Sequence, residues 1–286
     1  QGPSNSLVPW AGYGVHSSAD NDSIVLKPFD EQEAAARSVL PGWSLKLFAD
    51  GQDYFDHTGH LGRSEFAQEG IDGYDTPKLP SINGYIIVAL DLDESGRFGY
   101  SGDIRSLEET NGVWNLRIAG NNEPGPIVLS GSFLDAVPEN LHIAVVDIPR
   151  RLIFDDFPET DLSINKNFKM GYDLKLVAGD ENYVRETAKK ILADIPEEFS
   201  LSQNYPNPFN PLTHLDFALP LRSRVEITIY NMLGQEVATL VNRELDYGHH
   251  SVSWHGTNRF GKPAASGVYL AKLQTPGVIK TRKMIL

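Results

Sequence analysis

From Trp43 onward, apolar and polar residues alternate over runs of a few positions, and Gly, Pro, Asn and Asp cut the runs apart. A period of two puts successive side chains on opposite faces of an extended strand, so the chain is committed to sheets with one buried face. Trp43-Ser-Leu-Lys-Leu-Phe48 sets Trp43, Leu45 and Leu47 on one face, and Val113-Trp-Asn-Leu-Arg-Ile118 does the same for Trp114, Leu116 and Ile118. Tyr85-Ile-Ile-Val-Ala-Leu90 is apolar throughout, which predicts a strand covered on both faces. Pro126–Leu129, Leu141–Val146, Arg151–Phe154 and Tyr172–Val177 supply further strands. Short strands between turn residues predict an antiparallel sandwich. Strand–helix alternation, which a doubly wound sheet needs, does not occur.

One segment breaks the pattern. Between Asp180 and Asp194, Val184, Ala188, Ile191 and Leu192 share a face at helical spacing. Asp180 is the expected N-cap, Glu181 suits the first turn, and Pro196 ends the helix. A shorter helix is expected over Pro28–Arg37, within a lead-in of residues 1–40 that otherwise lacks periodicity. Beyond the long helix, Pro206, Pro208 and Pro211 interrupt any strand ladder, so a domain boundary is placed at 195–203.

After it, Leu215, Phe217 and Leu219 form one inward set, and Val225, Ile227 and Ile229 another. Further strands are read at Glu236–Val241, Ser251–Trp254, Gly267–Leu273 and Lys280–Leu286, with Trp254 in the core. About seven strands is the usual number for an Ig-like fold. The expectation is an all-β chain of two β-sandwich domains in tandem, with one helix near their boundary. Residues 1–40 form an irregular lead-in, 41–196 an acidic sandwich and 197–286 an Ig-like domain.

Charge and composition narrow the function. The net charge of −13 is unevenly shared: residues 1–196 hold 16 Lys/Arg against 31 Asp/Glu, and residues 197–286 hold 9 against 7. An acidic N-terminal part argues against nucleic acid, whose phosphates require cations. No apolar run approaches the roughly 20 residues of a membrane-spanning helix. There is no cysteine, so the fold rests on packing or bound ions rather than disulfides. The sequence begins at Gln1 without a basic-then-apolar leader, and an exported chain is expected to have lost its signal peptide.

The last third carries a specific combination of motifs. Tyr205-Pro-Asn-Pro-Phe-Asn-Pro211 precedes a strand, and Ile229-Tyr-Asn-Met-Leu-Gly-Gln-Glu-Val237 is a strand–turn–strand. Gly248, Val252-Ser-Trp254, Gly256-Thr257, Ser266-Gly-Val-Tyr269 and Lys283-Met284 follow in order. This segment resembles the C-terminal sorting domain of type IX secretion cargo, and is also similar to the Ig-like domain of flagellar hook-capping proteins. The resemblance implies passage across a bacterial outer membrane by the type IX machinery, then surface attachment or release. It places the recognition signal in the last strands, here Gly267, Val268 and Tyr269 with Lys283 and Met284. Residues 40–195 more loosely resemble an accessory β-sandwich of surface proteins, through Leu61–Asp75 followed by Pro77 and Pro80, with Asp103-Ile-Arg105 and Trp114. That module implies no activity.

Candidate chemistry is sparse. Asp91, Asp93 and Ser95 begin a D-x-D-x-S-G run like a calcium loop, but position twelve is Gly102 rather than a bidentate Glu. The same residues are ordinary turn formers, and both readings stay open. Asp53, Asp56, His57 and His60, with Asp72 and Asp75, offer oxygen and imidazole ligands or simply a polar loop. His249 and His250 read as a solvated strand start. No nucleophile elbow, zinc-binding helix or phosphate loop is present, and the paired acids Asp155-Asp156 and Glu108-Glu109 have no separation readable from sequence. The catalytic assignment is therefore none. Three roles remain: a non-catalytic binding or scaffolding protein, including a self-associating filament or layer subunit; a carbohydrate-binding module using Trp10, Tyr13, Tyr54 and Tyr74; and the C-terminal piece of a larger secreted hydrolase.

Overall fold

The computed structural model describes residues 42–78, 85–90, 99–121, 125–134, 137–165 and 171–286, and the backbone of two earlier strands. Those two, β1 (Tyr13–Ser17) and β2 (Ile24–Pro28), pair antiparallel inside the stretch read as an irregular lead-in. The short helix expected at 28–37 lies outside the described residues, apart from Pro28 at the end of β2.

Eleven strands make one sheet. They are β3 (Gly42–Asp50), β4 (Phe55–Ser64), β5 (Thr76–Pro77), β6 (Tyr85–Leu90), β7 (Tyr100–Ser106) and β8 (Gly112–Asn121), followed by β9 (Ile127–Phe133), β10 (His142–Asp147), β11 (Leu152–Phe154), β12 (Leu162–Ile164) and β13 (Tyr172–Gly179). Their order is β11-β10-β13-β8-β6-β7-β4-β3-β9-β12, with β5 added beside β7. Among the described residues, β4–β7 is the one parallel pair. The sheet curls on itself, so that a β-carbon on Gly59 of β4 would stand 3.3 Å from Val88 Cγ1 of β6. The alternating faces predicted from sequence meet inside: Trp43, Leu45, Leu47, Val88, Trp114, Leu116 and Ile118 belong to one buried cluster. Trp43 and Trp114 touch edge to face with ring centroids 5.8 Å apart.

The strand covered on both faces is not the one expected. In β6 one face carries Ile86, Val88 and Leu90 into the core, while Ile87 on the other is only partly covered. Full double coverage falls on β10 and β13. Their Val145, Leu174 and Leu176 face the curled core, and their Ala144, Val146 and Val177 face α1 (Glu181–Asp194) through Val184 and Ala188. Asp180 caps α1 as predicted, its carboxylate accepting from Tyr183 N at 2.9 Å. The last turn has no basic residue of its own. Arg151 supplies the charge instead, donating to Leu192 O at 2.8 Å and Ile195 O at 3.0 Å.

The remaining strands are β14 (Ser200–Leu201), β15 (Thr213–Leu219), β16 (Ser223–Asn231), β17 (Glu236–Leu245), β18 (Gly248–Trp254), β19 (Val268–Thr275) and β20 (Val278–Ile285). They form a three-stranded sheet, β14-β15-β18, and a four-stranded sheet, β17-β16-β19-β20. Between them lies a separate core built on Leu215, Phe217, Val225, Ile227, Ile229 and Trp254. The all-β expectation holds.

The two cores meet through charge. On the outer face of the large sheet, Asp173 of β13 accepts from Arg117 Nε at 3.0 Å and from Arg222 Nε at 3.3 Å. Arg222 also pairs with Asp246, and the neighbouring Tyr247 packs against the α1 cluster. Helix and C-terminal strands thus share one face of β8, β13 and β10.

Candidate functional site

The motif-bearing segment folds as a strap across the C-terminal sheets. Asn204 is buried; its Nδ2 donates to Pro206 O at 3.0 Å and to Thr213 Oγ1 at 2.9 Å, and Thr213 Oγ1 donates to Pro206 O at 2.8 Å. These bonds supply partners that a proline-rich backbone cannot find in a ladder. Phe209 then drops into the core, its ring 5.4 Å from that of Trp254. Trp254 stands 5.0 Å from Tyr269, edge to face, and gives its indole N–H to Thr257 O at 2.9 Å. The strap also grips the last strand. Phe209 N donates to Ile285 O at 3.0 Å, Ile285 N donates to Asn207 Oδ1 at 3.0 Å, and Gln203 Nε2 donates to Lys283 O at 2.7 Å.

The residues assigned to a sorting signal sit at this place. Gly267 exchanges both backbone hydrogen bonds with Leu286, Val268 lies opposite Ile285, and Tyr269 lies opposite Met284. Tyr269 and Met284 are buried in the sandwich core, whereas Gly267 and Lys283 are exposed. Sequence reasoning missed the residues that hold the strap, Gln203, Asn204 and Asn207. Their only signal is the concentration of amide side chains in and just before the proline run.

The other candidates divide. Asp91, Asp93 and Ser95 lie outside the described residues. Asp56 is buried and accepts from Val88 N at 2.7 Å, from Thr58 N at 3.0 Å and from the Lys78 ammonium. Burial alone would raise its pKa, but these bonds and the Lys78 charge outweigh it and hold the carboxyl below the usual range. His57 instead pairs with Asp50 at 2.7 Å. His60 donates from Nδ1 to Thr58 O at 3.1 Å, and burial, assisted by the Lys46 charge, pushes its pKa down. Asp75 takes hydrogen bonds from Asp72 N at 2.8 Å and Ile104 N at 3.3 Å; burial, with Asp103 and Asp72 nearby, raises its pKa. The expected polar loop is not one at Asp56, His57 and His60: these residues lie in β4, and with Asp75 they make separate structural contacts. Among the described residues, no three His, Asp or Glu side chains are placed to hold a metal ion.

An open depression beyond the end of β4 is lined by Glu65, Glu69 and Glu108. Glu69 is already engaged by the buried Arg63 at 2.9 Å. Of the aromatics considered for sugar stacking, Tyr54 packs against the large core, and Trp10 and the Tyr13 side chain lie outside the described residues. His250 stacks on Phe217 and bonds Asp246 O at 2.8 Å, so it is built into the strand start. Among the described residues, no helix is long and apolar enough to cross a membrane.

Comparison with known proteins finds a family match and five matching structure chains, two of which are PorZ and PorU. Residues 214–276 match the FlgD Ig-like domain family. That stretch falls within β15 to β19 and the turn after it. PorZ of Porphyromonas gingivalis, described as an essential bacterial surface component of the type-IX secretion system, is 18% identical, with a TM-score of 0.22. The alignment covers 38% of this chain and 13% of PorZ. Dimeric latent PorU from the same organism is 11% identical with a TM-score of 0.26, over 92% of this chain and 31% of PorU. The chain therefore spans less than a third of either protein, and neither score establishes a shared overall fold. No curated protein matches.

Proposed function

We propose that this chain is exported across a bacterial outer membrane by type IX secretion and acts outside the cell as a non-catalytic binding or structural protein. Residues 197–286 serve as the sorting module and residues 41–196 as an accessory sandwich. The observation that carries this reading is the way the cargo-like motifs converge. Phe209, Trp254, Tyr269 and Met284 come from separate segments of the sequence and pack into one core with the last two strands, while Asn204 ties down the start of the strap through Pro206 O and Thr213. The FlgD Ig-like match at 214–276 supports the module type, and the exposure of Gly267 and Lys283 supports access by machinery. The test is the intact mass and both termini of the protein recovered from its native cell surface. The reading predicts loss of the chain beyond about residue 200. Retention of Leu286 would make the module a working part of the surface structure, and recovery only from inside the cell would sink the reading.

A carbohydrate-binding role draws on one observation. Phe55 is 69% exposed, and its ring lies 4.8 Å from His57, which in turn meets Phe48 at 5.1 Å. Exposed rings beside polar groups suit stacking on sugar. Pull-down on insoluble polysaccharides, with a Phe55→Ala control, checks it; equal retention of both forms would remove the platform from the account.

A further inference from the structure

The register of the last hairpin says which backbone groups of β20 are unused. Gly267 and Leu286 exchange both of their hydrogen bonds. In an antiparallel pair such doubly bonded positions recur every second residue. The pairs Tyr269↔Met284, Ala271↔Arg282, Leu273↔Lys280 and Thr275↔Val278 are then bonded to β19, and Ile279, Thr281, Lys283 and Ile285 point their backbone groups away. The strap contacts agree, since Ile285 N, Ile285 O and Lys283 O are the groups it takes. Beyond the strap, β20 ends its sheet. Thr281 O accepts from the neighbouring Arg282 Nη1 at 3.1 Å, and the N–H and C=O of Ile279 with the N–H of Thr281 and of Lys283 form a short open edge.

The charge around that edge is one-sided. From Tyr247 to Leu286 the sequence contains no Asp or Glu, in a chain of net charge −13. Lys272 on β19 and Lys280, Arg282 and Lys283 on β20 are all cationic, and among the described residues no carboxylate pairs with any of the four. Ile279 beside them is 61% exposed. A bare strand edge is a template for pairing, and lysines on an edge oppose self-association. A second copy of this strand would set Lys and Arg against Lys and Arg, which is destabilising for directly opposed like charges. An acidic strand would meet a cation on either face of the sheet.

We infer that the outer edge of β20, from Ile279 to Lys283, is a docking surface for an acidic, extended peptide segment of a partner protein, which adds to the four-stranded sheet as a fifth strand. Backbone bonds to Ile279, Thr281 and Lys283 supply affinity, and Lys272, Lys280, Arg282 and Lys283 select the charge. The inference stands on register and charge alone. Its failure leaves the export reading untouched, and a chain exported by another route leaves the edge intact.

The register also supplies the test. Thr281 N–H faces outward, so Thr281→Pro removes an edge donor without removing a bond to β19, a position where a strand tolerates proline. The probe is a fluorescent acetyl-Glu-Val-Glu-Val-Glu-Val-amide peptide, with acetyl-Lys-Val-Lys-Val-Lys-Val-amide as its counterpart, titrated against the purified full chain at low salt. The acidic peptide should bind and slow hydrogen exchange at the amides of Ile279, Thr281 and Lys283, and the basic peptide should not bind. Thr281→Pro should weaken binding by about tenfold or more, as expected for one unmade hydrogen bond and an obstructing ring. Thr281→Ala, which keeps the N–H, should bind like the parent. Replacing Lys280, Arg282 and Lys283 by Gln should weaken binding and flatten its salt dependence. No binding of the acidic peptide, equal binding of the basic one, or unchanged binding by Thr281→Pro would each overturn the inference.

Discussion

Phe209 and Tyr205 belong to the same proline-rich motif, and the strap predicts opposite consequences for them. Phe209 is 4% exposed and fills the space beside Trp254, whereas Tyr205 is 80% exposed. In both cases the backbone bonds survive truncation to Ala, because Phe209 N donates to Ile285 O and Tyr205 pairs through its main chain with His214. What differs is the side chain alone. Phe209→Ala removes a buried ring and leaves a cavity, which costs about 3–5 kcal/mol. Tyr205→Ala removes a ring already in water and should fall within about 0.5 kcal/mol of the parent. A unit of this size is held by only about 4–13 kcal/mol in total, so the first loss takes a large share. Urea unfolding, with hydrogen exchange resolved over residues 213–286, measures both. Phe209→Ala should lower the midpoint and speed exchange in β15, β18 and β20. A cost below about 1 kcal/mol for Phe209→Ala, or equal costs for the two variants, would refute the strap as a packed element.

Three further predictions rest on buried charge. Asp56→Ala should destabilise the large sheet by about 3–5 kcal/mol, because it strands the Lys78 ammonium and the Val88 N–H; thermal unfolding with a Lys78→Met control would check it. Asp56 has a depressed pKa, so its contribution is present above the ordinary Asp range near pH 4 and is lost as pH falls through the lower folded value; Asp56→Asn should shrink this acid-side loss in a pH series of melting curves. Arg222→Met should loosen the contact between the two cores, since it removes the cation that Asp173 and Asp246 share. The expected result is faster cleavage near Glu197-Glu198 in limited proteolysis, and an unchanged rate would mean that Arg222 does not hold the contact.

The strand pattern was legible because alternation is a local property, and Trp43 to Leu47 and Trp114 to Ile118 could be assigned to a face from a few residues each. The helix was legible for the same reason, with its cap at Asp180. Coverage was not. Tyr85–Leu90 and Leu141–Val146 are similarly apolar in sequence, yet α1 lies on β10 and β13, because Val184 and Ala188 pack against Ala144, Val146 and Val177. The prolines at 206, 208 and 211 show in sequence only that their segment makes no ladder, with the boundary placed before them at 195–203. Their segment is instead ordered by contacts spanning much of the C-terminal region, such as Asn207 with Ile285 and Gln203 with Lys283. Such contacts leave no local periodicity. The charge contact at Asp173 was illegible for a similar reason, because it joins Arg117, Asp173, Arg222 and Asp246 from separate strands and turns.

Export is the central claim, and the most direct test is the location of the full-length protein in matched cells with and without a working type IX pore. Surface protease treatment followed by detection of residues 42–178 reads the outcome without depending on whether the C-terminal module is later removed. The account predicts a protease-accessible protein in the competent cells and a protected, intracellular pool in the deficient ones. Equal accessibility in both would contradict it.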